Sequence, residues 1–392
     1  MTTETPQNTE LPGVCIRCFG RAFARIGTGI SNIERGETFY QENEKTFLNG
    51  GFTLSSEEGC SMCHGIFLRL PDYFEAFMEE SGGIEFSTFL VGSSFPGETV
   101  QMEARLQEVL GDNGEPIKRE FNREFGKFIA DKTGKKTDFN EPDLNLVVDL
   151  RYDSFTIKSR SLYVYGVYRK YRRDIPQTRW IHKKDVDISI EDIVGEKLKA
   201  MSGGENYFLH GAGREDVDVR MLGNGREFII EATAPRVRSI SLADLKNTVN
   251  SSGKGVEIDS LRFASKSNVV SLKGMAYDKS YRVRVVADSA IDPGKMSEAV
   301  LGLTGKHIYQ RTPLRVSTRR SDLVRDRQIR ELSVEEIHDN SAVLIVRAEA
   351  GTYIKELIHG DGGRTTPSLS EMYGEELKVD CLDVIWIHRS SE

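Results

Sequence analysis

The sequence predicts an α+β fold, because segments with helical spacing of apolar residues are mixed with short segments of alternating Val, Ile, Tyr and Phe. The helical pattern occurs in VQMEARLQEVLG and IKREFNREFGKFIADKTG. The β pattern occurs in LNLVVDLRYDSFTIKSRSLYVYGVY, which predicts a β-meander. A chain of 392 residues is also long enough for two or three domains, each with its own core.

Three regions follow one another along the chain. Residues 1–81 contain four of the five cysteines and the helical segments CIRCFGRAFARIG and PDYFEAFMEE. Residues 82–188 contain a strand, IEFSTFLVG, followed by the two helices and the meander. Residues 189–392 begin with a helix, SIEDIVGEKLKAM. This last region then combines strands at ENYFLHG, VDVRML, REFIIEA, YRVRVVA, SAVLIVRAEA and CLDVIWI with helices at SLADLKNTV, GKMSEAVLGL and TYIKELI.

Composition and the N-terminus predict a cytoplasmic protein. Hydrophobic residues make up 38% and charged residues 29% of the chain, which is typical of a globular protein. The N-terminal MTTETPQNTELPG lacks the charged-then-apolar pattern of a secretory signal. No apolar run approaches the ~20 residues of a transmembrane helix. We therefore expect no membrane segment.

Two C-x-x-C pairs predict a structural Zn²⁺ site with the ligands Cys15, Cys18, Cys60 and Cys63. Each pair supplies two thiolates from one tight turn, and a tetrahedral zinc ion takes four. The 41 residues between the pairs exceed the spacing of a zinc ribbon, so buried cysteines without metal are an alternative. Attachment of haem at Cys60-Ser61-Met62-Cys63-His64 is a second alternative, and redox use of a pair is a third.

Two basic stretches interrupt a chain whose net charge is −7. Residues 168–184 and residues 311–330 each contain seven Arg or Lys, and aromatic residues are interleaved in the first. Such residues neutralise phosphates and stack on unpaired bases, so the pair of stretches favours RNA. A solvated face or a salt-bridge network is the alternative. The chain contains no P-loop, GxGxxG, HExxH or GxSxG motif, which argues against nucleotide, dinucleotide, zinc-protease and serine-hydrolase chemistry.

Asp216, in the segment HGAGREDVDVRMLGNGREF, is the candidate reactive carboxylate. If VDVRML is a strand, Asp216, Asp218 and Arg220 lie on one face of it. Gly213 and Arg214 precede the aspartate, where the backbone can bend and carry the carboxylate out of the sheet. A carboxylate can act as a nucleophile or a base, and a nearby cation keeps it ionised. A loop or salt-bridge aspartate is the alternative.

These motifs together resemble a family of archaeal and eukaryotic tRNA pseudouridine synthases called Pus-ten. The resemblance rests on GREDVDVRMLG, on KSYRVRV, on YQRTPLRVSTRRSDLVRDR and on AGTYIKELIHGDGGRTTPSLSEMYG, which occur in the family's order. The cysteine pairs, the middle region and RRDIPQTRW are similar to the family's zinc-bearing, THUMP-containing N-terminal half. The resemblance therefore covers nearly the whole chain. It implies a pseudouridine synthase catalytic domain with a mixed or antiparallel sheet in residues 189–392. It also implies a THUMP-like RNA-binding domain in residues 82–188 and a zinc-binding region in residues 1–81.

The resemblance also implies roles for individual residues. Asp216 matches the catalytic aspartate, and Tyr281 matches the tyrosine that packs on the target base and assists proton removal from C5. Lys355 matches the basic residue that pairs with the aspartate, and Leu382 matches the apolar residue under the site. We expect substrate RNA to contact Tyr281 and six arginines: Arg169, Arg172, Arg173, Arg214, Arg319 and Arg320.

The implied activity is isomerisation of uridine to pseudouridine in the TΨC arm of tRNA, at positions 54 and 55. The reaction involves no net redox change, so we expect Zn²⁺ and no nucleotide or redox cofactor. We expect tRNA as the partner, no DNA, and a monomer. Two other functions stay open at this point: a non-catalytic tRNA-binding protein, and an RNA nuclease that holds a metal ion with Asp216 and Asp218.

Overall fold

The structure, a computed structural model, describes residues 11–179, 188–318 and 320–389. The chain divides into two compact units, Met1–Arg160 and Ser161–Glu392.

The first unit is built from short strands and longer helices. Helix α2 begins at a capping box in which Ser31 and Glu34 satisfy each other's backbone N–H groups. Pro96 and Pro116 are the N-cap residues of α4 and α5, where a missing N–H has no cost. The elements of this unit are β1 (Gly13–Cys15), α1 (Ile16–Arg21), α2 (Asn32–Asn49), β2 (Thr53–Ser55), α3 (Leu70–Glu80), β3 (Thr88–Ser94), α4 (Gly97–Leu110), α5 (Ile117–Thr133), β4 (Lys136–Thr137), β5 (Leu144–Asp149) and β6 (Ser154–Ser159).

Strands β3 to β6 form a mixed sheet in the order β4-β3-β5-β6. Strand β3 is parallel to both of its neighbours, whereas β5 and β6 are antiparallel. The aromatic side chains of α3 and α5 pack with this sheet, and the four cysteines belong to the same core. The structure therefore does not separate residues 1–81 from the sheet that follows them.

The second unit contains a large sheet with helices on both faces. Helix α6 begins at a capping box formed by Ser189 and Asp192. The elements of this unit are β7 (Leu162–Lys170), α6 (Ile190–Ser202), β8 (Tyr207–Gly211), β9 (Arg220–Ala232), α7 (Leu242–Asn250), β10 (Val256–Ala264), α8 (Lys266–Gly274), β11 (Asp278–Val286), α9 (Pro293–Leu303), β12 (His307–Arg311), β13 (Val324–His338), β14 (Ser341–Ala348), α10 (Ile354–His359), β15 (Thr365–Thr366), α11 (Leu369–Tyr373) and β16 (Lys378–His388).

Within the described residues this sheet has ten strands, in the order β10-β7-β9-β16-β11-β14-β13-β12-β15, with β8 paired to β9. The β9–β16 pair is parallel and the other pairs are antiparallel. Helices α6, α7, α9, α10 and α11 contribute to the main core, which β9 enters through Phe228 and Ile230. Helix α8 covers the other face, against Ile229. The predicted α+β fold with a mixed sheet is confirmed.

Three details differ from the sequence-based expectations. The meander ends after β6, because β7 pairs with β9 and β10 in the second unit. The boundary between units consequently lies at Arg160 and Ser161 rather than at residue 188. The strand expected at VDVRML begins only at Arg220, where it is continuous with REFIIEA.

Candidate active site

Asp216 lies in the loop between β8 and β9, not in a strand. Gly213 has φ +80°, and this left-handed conformation turns the chain out of β8. The N–H of Val219 donates to the carbonyl of Asp216 at 3.1 Å, which closes a turn just before β9. The prediction that Asp216 and Asp218 share one face of a strand was therefore wrong, although the predicted bend at Gly213 is present.

Lys170, at the end of β7, holds this loop in place through hydrogen bonds from its side chain. Its side chain is buried, and Nζ donates to the carbonyls of Asp216 at 3.2 Å, Val217 at 3.1 Å and Ile175 at 2.8 Å. Burial lowers the pKa of Lys170 because it disfavours the charged ammonium. The sequence predicted that the basic stretch containing Lys170 binds phosphates, but the Lys170 ammonium donates its hydrogen bonds to backbone carbonyls inside the protein.

A buried network fixes the residue before the catalytic candidate. Arg226 Nε lies 2.8 Å from a carboxylate oxygen of Glu215, and both side chains are buried. The hydroxyl of Tyr168 donates to the same carboxylate at 2.9 Å. The amide of Gln177 donates to that hydroxyl at 2.9 Å and to the carbonyl of Gly213 at 3.0 Å. With Glu215 held in this way, the next residue, Asp216, is presented to the surface of the unit.

Two cations converge on Asp216, whose side chain is 39% exposed. Arg315 approaches one carboxylate oxygen of Asp216 at 2.8 Å, and Lys355 approaches the same oxygen at 3.4 Å. Lys355 lies closer to Asp218, at 2.7 and 2.9 Å from its two oxygens. Burial raises the pKa of Asp218, but the hydrogen bonds and charge of Lys355 outweigh it and lower that pKa overall. The predicted neighbour Lys355 is thus present, but it is shared between two aspartates.

Arg315 is the residue that sequence reasoning missed. It lies in a short 3₁₀ helix, Leu314–Val316, between β12 and β13. Its Nε donates at 2.7 Å to Glu356, a buried carboxylate in α10, next to Lys355. The segment QRTPLRV was noticed for its family resemblance, yet nothing in its spacing distinguishes Arg315 from the other arginines around it.

Tyr281 and Leu382 lie on one face of the central sheet. Tyr281 is in β11 opposite Val384 of β16, and Leu382 is opposite Val283, the next residue of β11 on that face. Both predicted side chains are buried in the main core. Burial raises the pKa of Tyr281 to about 12, although the positive charge of Arg226 acts in the other direction. At neutral pH the phenol is therefore protonated and uncharged.

Asp216 is thus an accessible carboxylate beside two cations, in the loop that leads into β9 of the sheet that also carries the buried Tyr281 and Leu382. The carboxylate is suited to act as a nucleophile or base, because the cations stabilise its ionised form. Asp216 and Asp218 are both engaged by protein cations. Lys355 contacts both carboxylates, at 3.4 Å from Asp216 and 2.7 Å from Asp218, so a lysine ammonium lies where an ion held by the two aspartates would bind. The contacts therefore favour an ion-pair network over a two-carboxylate metal centre.

The arginines expected to bind RNA differ in their surroundings. Arg173 is tied to the protein, since it donates to the carbonyls of Asp218 and Leu382 and pairs with Asp383 at 2.7 Å. Arg172 pairs with Asp174 at 2.7 Å, in an exposed setting. Arg169 donates to the carbonyl of Gly223 at 2.8 Å. For Arg173 the geometry favours the alternative of a salt-bridge network, and RNA contact by Arg169 and Arg172 stays a prediction.

The remaining basic candidates lie near the site or outside the described part of the chain. Arg214 is exposed in the loop two residues before Asp216. Arg320 donates to the hydroxyl of Tyr353 at 3.1 Å, just before Lys355 in sequence. Arg319, like Trp180 of the first basic stretch, lies outside the described residues.

The four predicted cysteine ligands meet in the first unit, where all of them are buried. Their sulfur atoms lie within 4.8 Å of one another, with 3.7 Å between Cys15 and Cys63 and between Cys18 and Cys60. A disulfide needs about 2.05 Å. Four sulfurs at about 2.3 Å from one tetrahedral ion are about 3.8 Å apart, so these side chains fit a zinc ion. Cys381 is in β16, in the other unit.

Two family models match the chain. The model described as "Pus10, C-terminal" matches residues 163–388, and the model described as "Pus10 THUMP domain, archaeal" matches residues 73–149. The first match begins at the start of β7 and includes every element of the large sheet. The second lies inside the first unit.

Curated relatives cover almost the full length of the chain. The tRNA pseudouridine synthase Pus10 of Thermoplasma acidophilum is 49% identical over 97% of this chain and 97% of its own length. The relative of the same name from Picrophilus torridus is 45% identical over 96% of this chain and 97% of its own. The one from Pyrococcus furiosus is 39% identical, over 95% and 94%.

Likeness to solved structures is much lower. The chain of a crystal structure of a Cbf5–Nop10–Gar1 complex matches 57% of this chain and 48% of its own length, at 17% identity and a TM-score of 0.35.

No helix in the described residues has the length and apolar character needed to cross a membrane.

Proposed function

The chain belongs to the Pus10 family of tRNA pseudouridine synthases, and from this premise we propose that it isomerises uridine in the TΨC arm of tRNA, at positions 54 and 55. The observation that carries the proposal is the meeting of Asp216 with Arg315 and Lys355, from three distant parts of the chain. The contact between Asp216 and Lys355, which were assigned from separate motifs, supports a single site here, and Arg315 adds a second cation to it.

In the proposed reaction the N1–C1′ bond of the uridine breaks, the uracil turns, and a C5–C1′ bond forms. The proton at C5 is lost and N1 gains one, so the product is an isomer and no cofactor is consumed. Asp216 is the group that acts on the nucleoside, as nucleophile or base. Arg315 and Lys355 keep its carboxylate ionised and in place.

Tyr281 packs on the uracil ring, with Leu382 as the apolar floor beside it. The raised pKa of Tyr281, about 12, means that its hydroxyl carries a proton at neutral pH. Because a neutral phenol cannot take up a proton without giving up its own, Tyr281 acts as a relay in this proposal: its oxygen accepts the C5 proton while its hydroxyl proton passes to solvent, from which N1 takes the proton that it gains. Since the target uridine must leave its stack to reach these residues, we propose that it is flipped into the site.

The first unit serves substrate binding in this proposal. Its THUMP match and the tRNA named in the relatives' titles support tRNA as the substrate. We assign Zn²⁺ to Cys15, Cys18, Cys60 and Cys63, where it would hold β1, α1 and the loop after β2 together. Cytoplasmic location, a monomeric state and lack of DNA binding stay predictions.

The test is carbodiimide mapping of an unmodified tRNA transcript after incubation with the purified protein. We expect a new signal in the TΨC arm. Asp216→Asn should abolish it while tRNA binding stays within a few-fold, because the amide has the same shape but is neither nucleophile nor base. Asp218→Asn is the matched control and should lose less activity. Bound but unchanged RNA would favour the non-catalytic alternative, and cut RNA the nuclease.

A further inference from the structure

The segment between β12 and β13 carries two consecutive residues with different surroundings. Arg315 points to the catalytic carboxylate, with 2.8 Å between its NH1 and Asp216. The residue before it, Leu314, is in the same short 3₁₀ helix, and its side chain is 60% exposed. Since the two are adjacent, Leu314 lies at the edge of the active site although it takes no part in the ion pairs.

Hydrogen bonds from neighbouring segments hold this segment in position. Thr312 is buried, and its hydroxyl donates to the carbonyl of Ser321 at 2.7 Å and accepts from the N–H of Leu323 at 3.0 Å. The carbonyl of Thr312 accepts from Arg364 at 2.6 Å. The N–H of Leu314 donates to Asp361 at 3.0 Å. With its backbone fixed at both places, Leu314 is kept outside the core by the structure around it.

Leu314 is not an isolated exposed apolar side chain. Single exposed leucines are ordinary and need no explanation. Here, three further large apolar side chains are exposed within the same short stretch of chain: Tyr309 at 56%, Leu323 at 55% and Val324 at 65%. Val324 lies opposite Arg311 across β12 and β13, so an apolar and a basic side chain are neighbours on this hairpin. This combination suits RNA, whose bases offer flat apolar faces and whose phosphates are anionic.

Flipping a uridine leaves a gap in the stack it came from. Proteins that distort nucleic acids commonly fill such gaps with an apolar side chain that enters between bases. An apolar wedge of this kind is exposed before binding, is supported through its backbone and lies near the group that acts on the flipped base. Leu314 is exposed, its N–H is held by Asp361, and the next residue, Arg315, contacts Asp216.

We infer that Leu314 is the wedge that enters the RNA stack and holds the target uridine out, next to Asp216. The inference rests on the proposed function, since it names the residue that makes the uridine available to that site. Leu314 and Arg315 share one rigid turn, so insertion of the wedge and placement of the catalytic carboxylate occur together.

The test measures base flipping separately from chemistry. In the Asp216→Asn background, a tRNA transcript carries 2-aminopurine next to the target uridine, and its fluorescence rises when the neighbouring stack opens. We expect this rise with Asp216→Asn alone and its loss, by on the order of tenfold in amplitude, when Leu314→Ala is added. Affinity for tRNA should stay within a few-fold, since one apolar contact is removed and the phosphate contacts are kept.

Turnover provides the second measurement. Leu314→Ala in the active enzyme should lower kcat on the order of tenfold or more, because the cost of unstacking is no longer offset. Leu314→Met, which restores an apolar side chain of similar size, should recover most of the rate. Leu301→Ala is the control: Leu301 is 73% exposed on α9, and its replacement should change nothing.

The outcomes separate this inference from the function it rests on. An active wild type with a Leu314→Ala variant of unchanged kcat and fluorescence would overturn the wedge and leave the synthase activity standing. An inactive wild type that binds tRNA would overturn the proposed function itself. Equal losses from Leu314→Ala and Leu301→Ala would also sink the wedge, because the effect would then not be specific to the active-site edge.

Discussion

Two cations contact Asp216, the proposed catalytic aspartate. Lys355 makes its shorter contacts with Asp218, whereas Arg315 bridges Asp216 and the buried Glu356. A buried carboxylate beside Arg315 fixes the guanidinium in space, and the planar guanidinium can contact two carboxylates at once. At the scale of the single residue, Arg315 is therefore the principal partner of Asp216 in this chain.

Because Arg315 makes the shorter contact with Asp216, we predict that Arg315→Ala lowers kcat more than Lys355→Ala does. We expect a loss on the order of 10²-fold for Arg315→Ala, comparable to removal of one preorganised charged donor. Arg315→Lys should keep part of the activity, since the charge remains but the bridge to Glu356 is lost. The measurement is single-turnover pseudouridine formation at saturating tRNA.

Lys355 can be examined through its second partner. Asp218 makes the shorter contacts with Lys355, so Asp218→Asn should allow Lys355 to move closer to Asp216. In the Asp218→Asn background, Arg315→Ala should then reduce kcat by a smaller factor than it does in the wild type. A larger decrease in kcat from Lys355→Ala than from Arg315→Ala would show that Lys355, not Arg315, is the principal cationic partner of Asp216.

At the scale of the element, β11 carries two polar residues on one face, the half-buried Lys279 and the buried Tyr281. Nζ of Lys279 donates to the carbonyl of Tyr277 at 2.9 Å. Burial, together with the nearby positive charge of Arg226, lowers the pKa of Lys279 from 10.5 to about 8. The strand therefore contains a lysine that is charged at neutral pH at a cost to stability.

The sign of the resulting pH dependence follows from proton counting. Between pH 8 and pH 10.5 the unfolded chain keeps the proton on Lys279 and the folded chain has lost it, so folding stability rises with pH across this window. Below pH 8 the penalty is complete, at about 3 kcal/mol for a shift of this size. Lys279→Met removes the penalty, so we expect the variant to be more stable than the wild type at pH 7.

The measurement is urea unfolding of both proteins at pH 7 and at pH 9.5. The advantage of Lys279→Met should shrink as the pH rises, because the wild type gains stability and the variant does not. An advantage that is the same at both pH values would mean that packing, not titration, explains it.

The loop before β9, which contains Asp216, is positioned by residues of the neighbouring strands. Its position depends on Lys170 and Tyr168 from β7, and on Arg226 from β9. These residues come from two strands that are distant in sequence, and they meet because β7 and β9 are paired. The active-site loop is thus held by the sheet beneath it rather than by its own residues.

At the scale of the whole molecule, the two units have separate cores, and the cysteine cluster belongs to the first. Structural zinc sites supply folding free energy directly, with apparent values on the order of 10 kcal/mol. We predict that Cys60→Ser loses the zinc and unfolds the first unit, while the second unit keeps its cooperative transition. Metal analysis and thermal unfolding followed by circular dichroism are the measurements.

The chain offers a matched control in Cys381, a cysteine of the second unit. Cys381→Ser should retain the metal and both thermal transitions. Full zinc content in Cys60→Ser would show that the assigned ligands are wrong.

Much of this protein follows from sequence alone. The α+β class and most helices and strands follow from local periodicity, and the four-cysteine cluster follows from two short spacings. Asp216, Tyr281 and Lys355 were each proposed from motifs of a few residues. Such patterns are readable because helix and strand periods, tight turns and short motifs involve neighbours in the chain.

The tertiary structure alone decided where the units divide and which charges meet. β7 reads as the last strand of a meander, yet its partners, β9 and β10, follow much later in the chain. The pairs Arg315–Asp216 and Arg226–Glu215 likewise join residues whose spacing has no period. A contact between distant residues depends on burial and on the folded path of the backbone, and a single sequence records neither directly.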